Sequence, residues 1–157
     1  MRTDAPLRFE LDPLTSPEVR ELIAMHLATM RAASPPESVH ALEPDGLARP
    51  DVQFWSVWVE TELVGCGALE TLSPTDGEIK SMHVRAAWRG RGLAARILTH
   101  LEDAARARGM SRLWLETGSM VEFEPARRLY AAFGYTECDP FADYVQDPNS
   151  TFMTKRL

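Results

Sequence analysis

The turn Arg89-Gly90-Arg91-Gly92-Leu93-Ala94 combines residue types that bind anions. Its two glycines let the backbone approach a ligand closely, and its two guanidinium groups supply positive charge and N–H donors. A helix predicted to begin at Gly92 adds unpaired backbone N–H groups and the positive end of its dipole. The turn is therefore predicted to hold a phosphate group, and the rest of the chain must indicate which ligand carries it.

A dinucleotide is one candidate, because the turn also fits the pattern G-x-G-x-x-[GA]. Glu116 lies about 24 residues after Gly92, near the place of a ribose-binding acid. However, residues 85–89 separate Val84, the last strand-like residue, from Gly90, whereas a dinucleotide fold places the first glycine directly after its strand. Only about 60 residues follow the turn, too few for a doubly wound sheet. The chain also has no Walker A sequence.

A third pattern, [RQ]-x-x-G-x-[GA], is met by Arg89, Gly92 and Ala94 after a strand that ends in an aliphatic residue. Downstream, residues 123–135 read F-E-P-A-R-R-L-Y-A-A-F-G-Y. On these two stretches the chain resembles the GNAT superfamily of acetyl-CoA-dependent N-acetyltransferases. The second signature of that family is a helix with A-x-x-L-Y, followed by F-G-[FY]. The resemblance covers roughly residues 52–138.

The resemblance implies that acetyl-CoA is the bound ligand. In this family the turn cradles the cofactor pyrophosphate, and the edge of the preceding strand hydrogen-bonds the pantetheine arm. His83 would contribute its backbone alone, since strand alternation sends its side chain opposite to those of its neighbours. Phe123 departs from the family pattern, which often has Asn there. The residues expected to bind the cofactor are Met82, His83, Val84, Arg89, Gly90, Arg91, Gly92, Leu93 and Ala94.

Two residues are the main catalytic candidates. Tyr130 lies in A-x-x-L-Y, where the family places the phenol that protonates the departing thiolate, although a buried Tyr can also serve in the core. Glu78 begins the strand before the turn and is the first candidate for the general base, through a water, because desolvation raises a carboxyl pKa. The alternative is an exposed Glu78 paired with Lys80. Glu116 is the rival base.

The acceptor is not indicated by the sequence. The segment after the first helix is where the family meets its acceptors, which makes Ser38, His40 and Leu42 weak candidates. His26 lies on an apolar helix face and is interpreted as a core histidine. The tail P-F-A-D-Y-V-Q-D-P-N-S at residues 140–150 further resembles a bacterial, YsnE-like branch of acetyltransferases.

Three functions follow from these patterns. The first is an N-acetyltransferase that acts on a primary amine of a small molecule or peptide by direct attack on the thioester. The second is a catalytically silent acyl-CoA sensor or interaction module, and the third is a fragment of a nucleotide-binding oxidoreductase. A silent module need retain neither Glu78 nor Tyr130, so the presence of both favours the enzyme.

Length and composition limit the number of domains and the kinds of partner further. With 157 residues and 45% hydrophobic content, residues 1–157 are predicted to form a single domain. The net charge of −6 disfavours nucleic acid as a partner. The four histidines lack ligand spacing, so no metal is expected. The absence of a signal segment and of any apolar run near about 20 residues predicts a cytoplasmic protein without membrane contact. A homodimer is compatible with the family.

The elements that must position these residues are read from hydrophobic periodicity and from Pro and Gly signals. The class is α/β, of the α+β type. The resemblance implies a mixed, mainly antiparallel sheet of six to seven strands flanked by about four helices. Strands are predicted over 7–11, 53–59, 63–72, 78–84, 112–116, 135–138 and 151–156, and helices over 17–33, 37–42, 92–108 and 125–133.

Overall fold

A seven-stranded sheet forms the centre of the structure, a computed structural model that describes residues 6–157. Its strands are β1 (Arg8–Leu11), β2 (Val52–Val59), β3 (Glu62–Thr71), β4 (Asp76–Val84), β5 (Arg112–Gly118), β6 (Thr136–Glu137) and β7 (Ser150–Arg156). They lie in the order β1-β2-β3-β4-β5-β7-β6. Neighbouring strands are antiparallel except β4 and β5, which run parallel. The predicted mixed, mainly antiparallel sheet is confirmed.

Four α-helices flank the sheet within the described residues: α1 (Pro17–Ala33), α2 (Pro44–Leu47), α3 (Leu93–Ala107) and α4 (Glu124–Ala132). The predicted number of helices is therefore confirmed. Helix α1 begins as expected, because Ser16 Oγ accepts a hydrogen bond from the backbone N–H of Val19 at 3.2 Å and Pro17 occupies the first turn.

The helix predicted over residues 37–42 is wrong. A short 3₁₀ turn covers Pro36–Ser38 instead, and α2 forms over Pro44–Leu47. Ser38 Oγ donates a hydrogen bond to Asp147 Oδ2 at 2.5 Å, a contact with a segment distant in sequence. This tertiary contact holds residues 36–38, whereas Pro44 provides a favourable first helical position for α2.

Two apolar cores cover the two faces of the sheet. The first core lies under α3 and α4 and includes Leu98, Leu101, Leu113, Leu115 and Tyr130. The second lies under α1 and α2 and includes Leu22, Ile23, Leu47, Phe54 and Cys66. Helices α1 and α3 therefore lie on opposite faces, which are called the α1 face and the α3 face below.

Strands β4 and β5 separate along their length. Their parallel pairing covers three positions, the last of which joins Glu78 to Trp114. Beyond this point β5 continues to pair with β7 as far as Gly118, while β4 continues along β3 to Val84. The sheet therefore has an opening between residues 79–84 of β4 and residues 115–118 of β5.

A bulge in β4 lies at this opening. Ser81 has φ of 53°, and the register with β3 shifts so that Ala68 faces Lys80 whereas Cys66 faces His83. An extra residue in one strand re-aims the side chains that follow it. As a result Lys80 and His83 both lie on the α1 face, together with Glu78, whereas Met82 and Val84 pack on the α3 face.

No helix in residues 6–157 is both long enough and apolar enough to cross a membrane.

Candidate active site

The anion-binding turn has the backbone that its glycines predict. Gly90 and Gly92 have φ of 76° and 81°, in the left-handed region that favours glycine. A Cβ at position 90 would meet nothing within 4 Å, so conformation rather than space calls for glycine there. Gly92 caps the 15-residue helix α3 without a side-chain hydrogen bond. The first N–H groups of α3 are thus free of a side-chain cap at the place where an anion would bind.

The two arginines of the turn are exposed and held by short contacts. Arg89 Nε donates to the backbone oxygen of Val84 at 3.2 Å, which ties the turn to the end of β4. The guanidinium of Arg91 lies 4.5 Å from the ring centroid of Trp88. Leu93 is buried in the core beneath α3 and anchors the start of the helix. The turn therefore offers guanidinium groups and backbone donors on a fixed support.

The edge of β4 after the last pair with β5 borders the opening in the sheet. Met82 and Val84 point their side chains to the α3 face, and His83 points to the α1 face, as strand alternation predicted. On the β5 side, the ladder pairs of this strand end at Glu78. The backbone of residues 79–84 can therefore hydrogen-bond an extended ligand as an added strand would.

A cavity of about 130 Å³ occupies the opening and extends onto the α1 face. It is lined from several parts of the chain, among them His26 and Met30 of α1, Ser34 at the end of that helix, Glu78 and Lys80 of β4, Glu116 of β5, Tyr130 of α4, and Tyr144 of the tail. The predicted acid Tyr130, the predicted base Glu78 and the rival base Glu116 therefore line one cavity. The structure brings these three groups together from positions distant in sequence.

Glu78 lies in a hydrogen-bonded network with Lys80 and Tyr144. Its Oε2 accepts from Lys80 Nζ at 3.1 Å and from the Tyr144 hydroxyl at 2.5 Å, and Lys80 also donates to Tyr144 at 3.0 Å. The ion pair with Lys80 expected from the sequence is present, but Glu78 is only 3% exposed. The alternative in which this pair is an exposed surface contact is therefore wrong.

Glu116 and Tyr130 have shifted proton affinities. Burial raises the pKa of the Glu116 carboxyl to about 7, with further contributions from the charges of Glu78 and Asp147. Burial also raises the pKa of Tyr130 to about 12, and the negative charge of Glu116 adds to this effect. At neutral pH the phenol therefore keeps its proton while the carboxyl is poised between its two states.

The hydroxyl of Tyr130 has a weak hydrogen-bond partner. It donates to Met82 Sδ at 3.8 Å, and a thioether sulfur is a poor acceptor. Met82 belongs to the segment expected to align the cofactor arm. The phenol is therefore close to the edge of β4 and can exchange this contact for a stronger one.

Of the three residues expected to contact the acceptor, two lie at the cavity and one does not. Ser38 and His40 line the cavity, whereas Leu42 packs against the core beneath α1. The ring of His40 makes an edge contact with Tyr144 at 5.0 Å between centroids. Burial, and then the charge of Lys80, lower the pKa of His40.

Tyr144 is a cavity residue that sequence reasoning missed. Its ring packs against Phe141 and Phe152 at centroid distances of 4.9 and 5.5 Å, and burial raises the pKa of its phenol. Ser119 Oγ donates to the Pro148 backbone oxygen at 2.6 Å and helps to hold the tail. The aromatic tail motif was a signal, but it was interpreted only as a mark of a family branch.

Phe123 places an aromatic ring in the cavity wall at the position where the family often has Asn. A Cβ at Gly118 would lie 2.1 Å from the Phe123 ring, so the ring packs directly on the backbone at the end of β5. Arg127 Nη1 donates to the backbone oxygens of Gly118 and Met120 at 2.7 and 2.9 Å, which fixes this connection. The position that often carries Asn in the family is thus an apolar cavity wall here.

In the part of the chain from residue 6 onward, no group of three or more His, Cys, Asp or Glu side chains could hold a metal ion.

Comparisons with known proteins agree with this geometry. The model of the acetyltransferase (GNAT) family matches residues 19–135. YsnE of Bacillus subtilis strain 168, an uncharacterised N-acetyltransferase, is 50% identical over 96% of this chain and 100% of that protein, which confirms the predicted branch. A candidate acyl-CoA N-acyltransferase from Klebsiella pneumoniae superposes with a TM-score of 0.79 at 31% identity, covering 98% of this chain and 99% of that chain.

A further structural match carries a ligand. A GNAT family acetyltransferase from Elizabethkingia anophelis was solved with acetyl-CoA bound. It superposes with a TM-score of 0.73 over 99% of this chain and 100% of that chain, at 15% identity. At this identity the match shows the common fold.

Proposed function

Because this chain belongs to the GNAT family and is an N-acetyltransferase, we propose that it transfers an acetyl group from acetyl-CoA to a primary amine of a small molecule or peptide. Direct attack of the amine on the thioester is the proposed route. The observation that carries the proposal is the opening between β4 and β5, which joins the anion-binding turn to a cavity lined by Glu116 and Tyr130.

The turn and the edge of β4 are the proposed cofactor site. Arg89, Arg91 and the first N–H groups of α3 would hold the pyrophosphate, with Gly90 and Gly92 allowing the close approach. Backbone groups of residues 82–84 would pair with the pantetheine amides. Acetyl-CoA supplies the thioester, and the chain positions its carbonyl beside the cavity.

The proposed chemistry needs one proton acceptor and one proton donor. The amine nitrogen forms a bond to the carbonyl carbon as the carbon–sulfur bond breaks, and the amine gives up a proton to a carboxylate. Tyr130 donates a proton to the departing sulfur and recovers one from that carboxyl group, through water. The products are the amide and the free thiol of CoA, so the enzyme returns to its initial state.

We assign the base role to Glu116 in preference to Glu78. A base works best when its pKa is near the operating pH, and the pKa of Glu116 is raised to about 7. One oxygen of Glu78 is already occupied by Lys80 and Tyr144, which suits a residue that positions its neighbours. The sequence-based prediction that Glu78 is the base is subject to the same experiments.

A silent acyl-CoA-binding module is the alternative. Such a module needs the turn but not a buried acid and phenol in one cavity. The arrangement of Glu116 and Tyr130 therefore supports an active enzyme over a sensor. Side chains from α1, α4 and the tail also line the cavity, which supports the proposal that residues 1–157 act as one domain.

A turnover screen tests the proposal. Acetyl-CoA is incubated with panels of amines, amino acids and peptides, and release of the CoA thiol is measured. We expect turnover with at least one class, reduced about 100-fold in Tyr130→Phe. Tyr135→Phe is the matched control, because Tyr135 is a buried neighbour whose hydroxyl donates to Glu102 at 2.8 Å. Binding of CoA by calorimetry without turnover of any class would instead support the sensor.

A further inference from the structure

Two buried histidines join helix α1 to strand β4. The Nδ1 atoms of His26 and His83 are 3.1 Å apart, and their rings meet edge to face at 5.1 Å. Each side chain is less than a tenth exposed. Two ring nitrogens at this distance share one proton, because one must donate and the other accept. Burial lowers the pKa of both imidazoles to about 4, so the pair is uncharged at neutral pH.

The surroundings of the second nitrogens differ. His83 Nε2 is buried and has no hydrogen-bond partner among the described residues. His26, in contrast, lines the cavity described above. A neutral imidazole carries one proton, so whichever ring accepts at Nδ1 must carry its own proton at Nε2.

These surroundings select one of the two tautomer arrangements. If His26 donated at Nδ1, His83 would bury an Nε2–H without an acceptor, and orphaned buried N–H groups are rare in proteins. If His83 donates, its buried Nε2 is a bare lone pair and the second N–H belongs to His26.

We propose that His83 donates its Nδ1 proton to His26, and that His26 presents an Nε2–H to an oxygen atom of the acceptor. The inference rests on the proposed function, since it names a contact in the acceptor part of that site. His26 and Met30 lie one turn apart on α1, Ser34 is the C-cap residue of that helix, and all three line the cavity. The donor therefore belongs to the α1 wall of the acceptor pocket.

This contact defines a class of acceptor. The substrate carries, besides its amine, an oxygen that accepts a hydrogen bond, as in an amino alcohol or an amino acid. A neutral donor suits such a molecule, because a charged His26 would repel an incoming ammonium group. Lys80 is the one Lys or Arg lining the cavity in residues 6–157, and its charge is paired with Glu78. His26 thus adds polarity to the α1 wall without adding charge.

Nuclear magnetic resonance tests the tautomers directly. Long-range proton–nitrogen correlation spectra of the ¹⁵N-labelled protein at pH 7 distinguish Nδ1–H from Nε2–H, and four histidines give few signals. We expect Nδ1–H for His83 and Nε2–H for His26, with the His26 signals assigned by their loss in His26→Gln. The reverse pattern, or a charged ring in either residue, would overturn the inference without any substrate.

Kinetics of matched amines test the contact with the acceptor. Ethanolamine and ethylamine differ by one hydroxyl group, and glycine adds the carboxylate case. We expect the wild type to favour at least one oxygen-bearing amine over ethylamine by about 10-fold in kcat/KM. His26→Gln keeps an amide N–H near the Nε2 position and should keep most of this preference. His26→Asn keeps the contact near Nδ1 but not the donor, and should lose it.

The control is the KM for acetyl-CoA, which should stay within about two-fold in His26→Asn, because that variant keeps the contact with His83 and His26 lies outside the turn of residues 89–94. An unchanged preference in His26→Asn, or a loss confined to His26→Gln, would overturn the assignment. No turnover of any amine would reject the proposed function together with the acceptor class, while the tautomer spectra would still decide the state of the histidine pair.

Discussion

The cofactor turn and the acceptor pocket are built in opposite ways. The turn is one continuous segment, residues 89–94, with exposed arginines and glycines in the left-handed region. The pocket collects side chains from α1, β4, β5, α4 and the tail. A change in the turn should therefore affect one ligand, whereas a change in the pocket should alter contacts made by several other segments.

The two regions also use charge differently. The turn offers guanidinium groups and a helix N-terminus, which attract an anion without any proton transfer. The pocket buries its ionisable groups, and burial raises the pKa of Glu116 to about 7 and that of Tyr130 to about 12. The proposed binding role therefore rests on an exposed local feature, and the proposed proton transfer rests on groups whose pKa values depend on tertiary burial.

The largest effect is expected for Glu116→Gln, which removes the proposed base from the pocket. We expect kcat/KM at pH 8 to fall about 1,000-fold. A base acts when deprotonated, so the wild-type rate should rise with pH through about 7 and level off above it. The variant should lose this rise in a pH–rate profile.

Glu78→Gln is the matched control, since Glu78 lines the same cavity. We expect a smaller loss of activity and a rise that persists at somewhat lower pH, because the charge of Glu78 contributes to the raised pKa of Glu116. If instead Glu78→Gln removed the rise and Glu116→Gln kept it, the base would be Glu78, as the sequence first suggested.

The same Glu116→Gln variant should be more stable than the wild type at pH 8, the pH at which it loses activity. A carboxyl whose pKa is raised on folding binds more protons in the native state, so its contribution to stability falls as pH rises from about 4.5 to about 7. Removing it should raise the free energy of unfolding by about 3 kcal/mol at pH 8 and by little at pH 4.5. Urea unfolding at the two pH values measures this, and an equal gain at both would contradict it.

In the turn of residues 89–94, a strong effect is expected for Gly92→Asp. The substitution strains the left-handed backbone and places a negative charge where the pyrophosphate would bind. Affinity for CoA should fall about 100-fold by calorimetry.

Gly109→Asp supplies the control for the turn. Gly109 has φ of 81°, the same as Gly92, and open space for a Cβ, but it follows the opposite end of α3. It should cost similar backbone strain and leave CoA affinity within about two-fold. Equal losses in both variants would show that strain, rather than ligand contact, weakens binding.

A moderate effect is expected for Tyr144→Phe, which removes the hydroxyl bonded to Glu78 and Lys80. The KM for the acceptor should rise about 10-fold while the KM for acetyl-CoA stays constant. Phe141→Leu loosens the ring packing but keeps the hydroxyl. An equal rise in that variant would assign the effect to packing instead of hydrogen bonding.

The smallest effect is expected for Ser38→Ala, which removes the contact between residues 36–38 and the tail. The KM for the acceptor should rise about three-fold, because one tether of the pocket wall is lost. Ser119→Ala removes a tether on the other side of the tail and serves for comparison. A change in the KM for acetyl-CoA alone would place this tether outside the acceptor pocket.

Local patterns identified the elements whose signals lie within them. The proline signal at Pro17 predicted the start of α1, and the glycine turn predicted the start of α3. The helix over residues 37–42 was predicted wrongly because Ser38 bonds to Asp147, a partner that no local pattern reveals. The bulge at Ser81 was also missed, since its register depends on β3.

By itself, the sequence determined the family, the backbone of the glycine turn and the main elements, because backbone conformation and amphipathic faces depend on neighbouring residues. Only the tertiary structure decided the chemistry of the pocket. The raised pKa of Glu116 and the network of Glu78 with Tyr144 arise where distant segments meet. The pairing of His26 with His83 spans 57 positions. Burial and hydrogen bonding over such separations depend on the packed fold, so no local spacing could encode them.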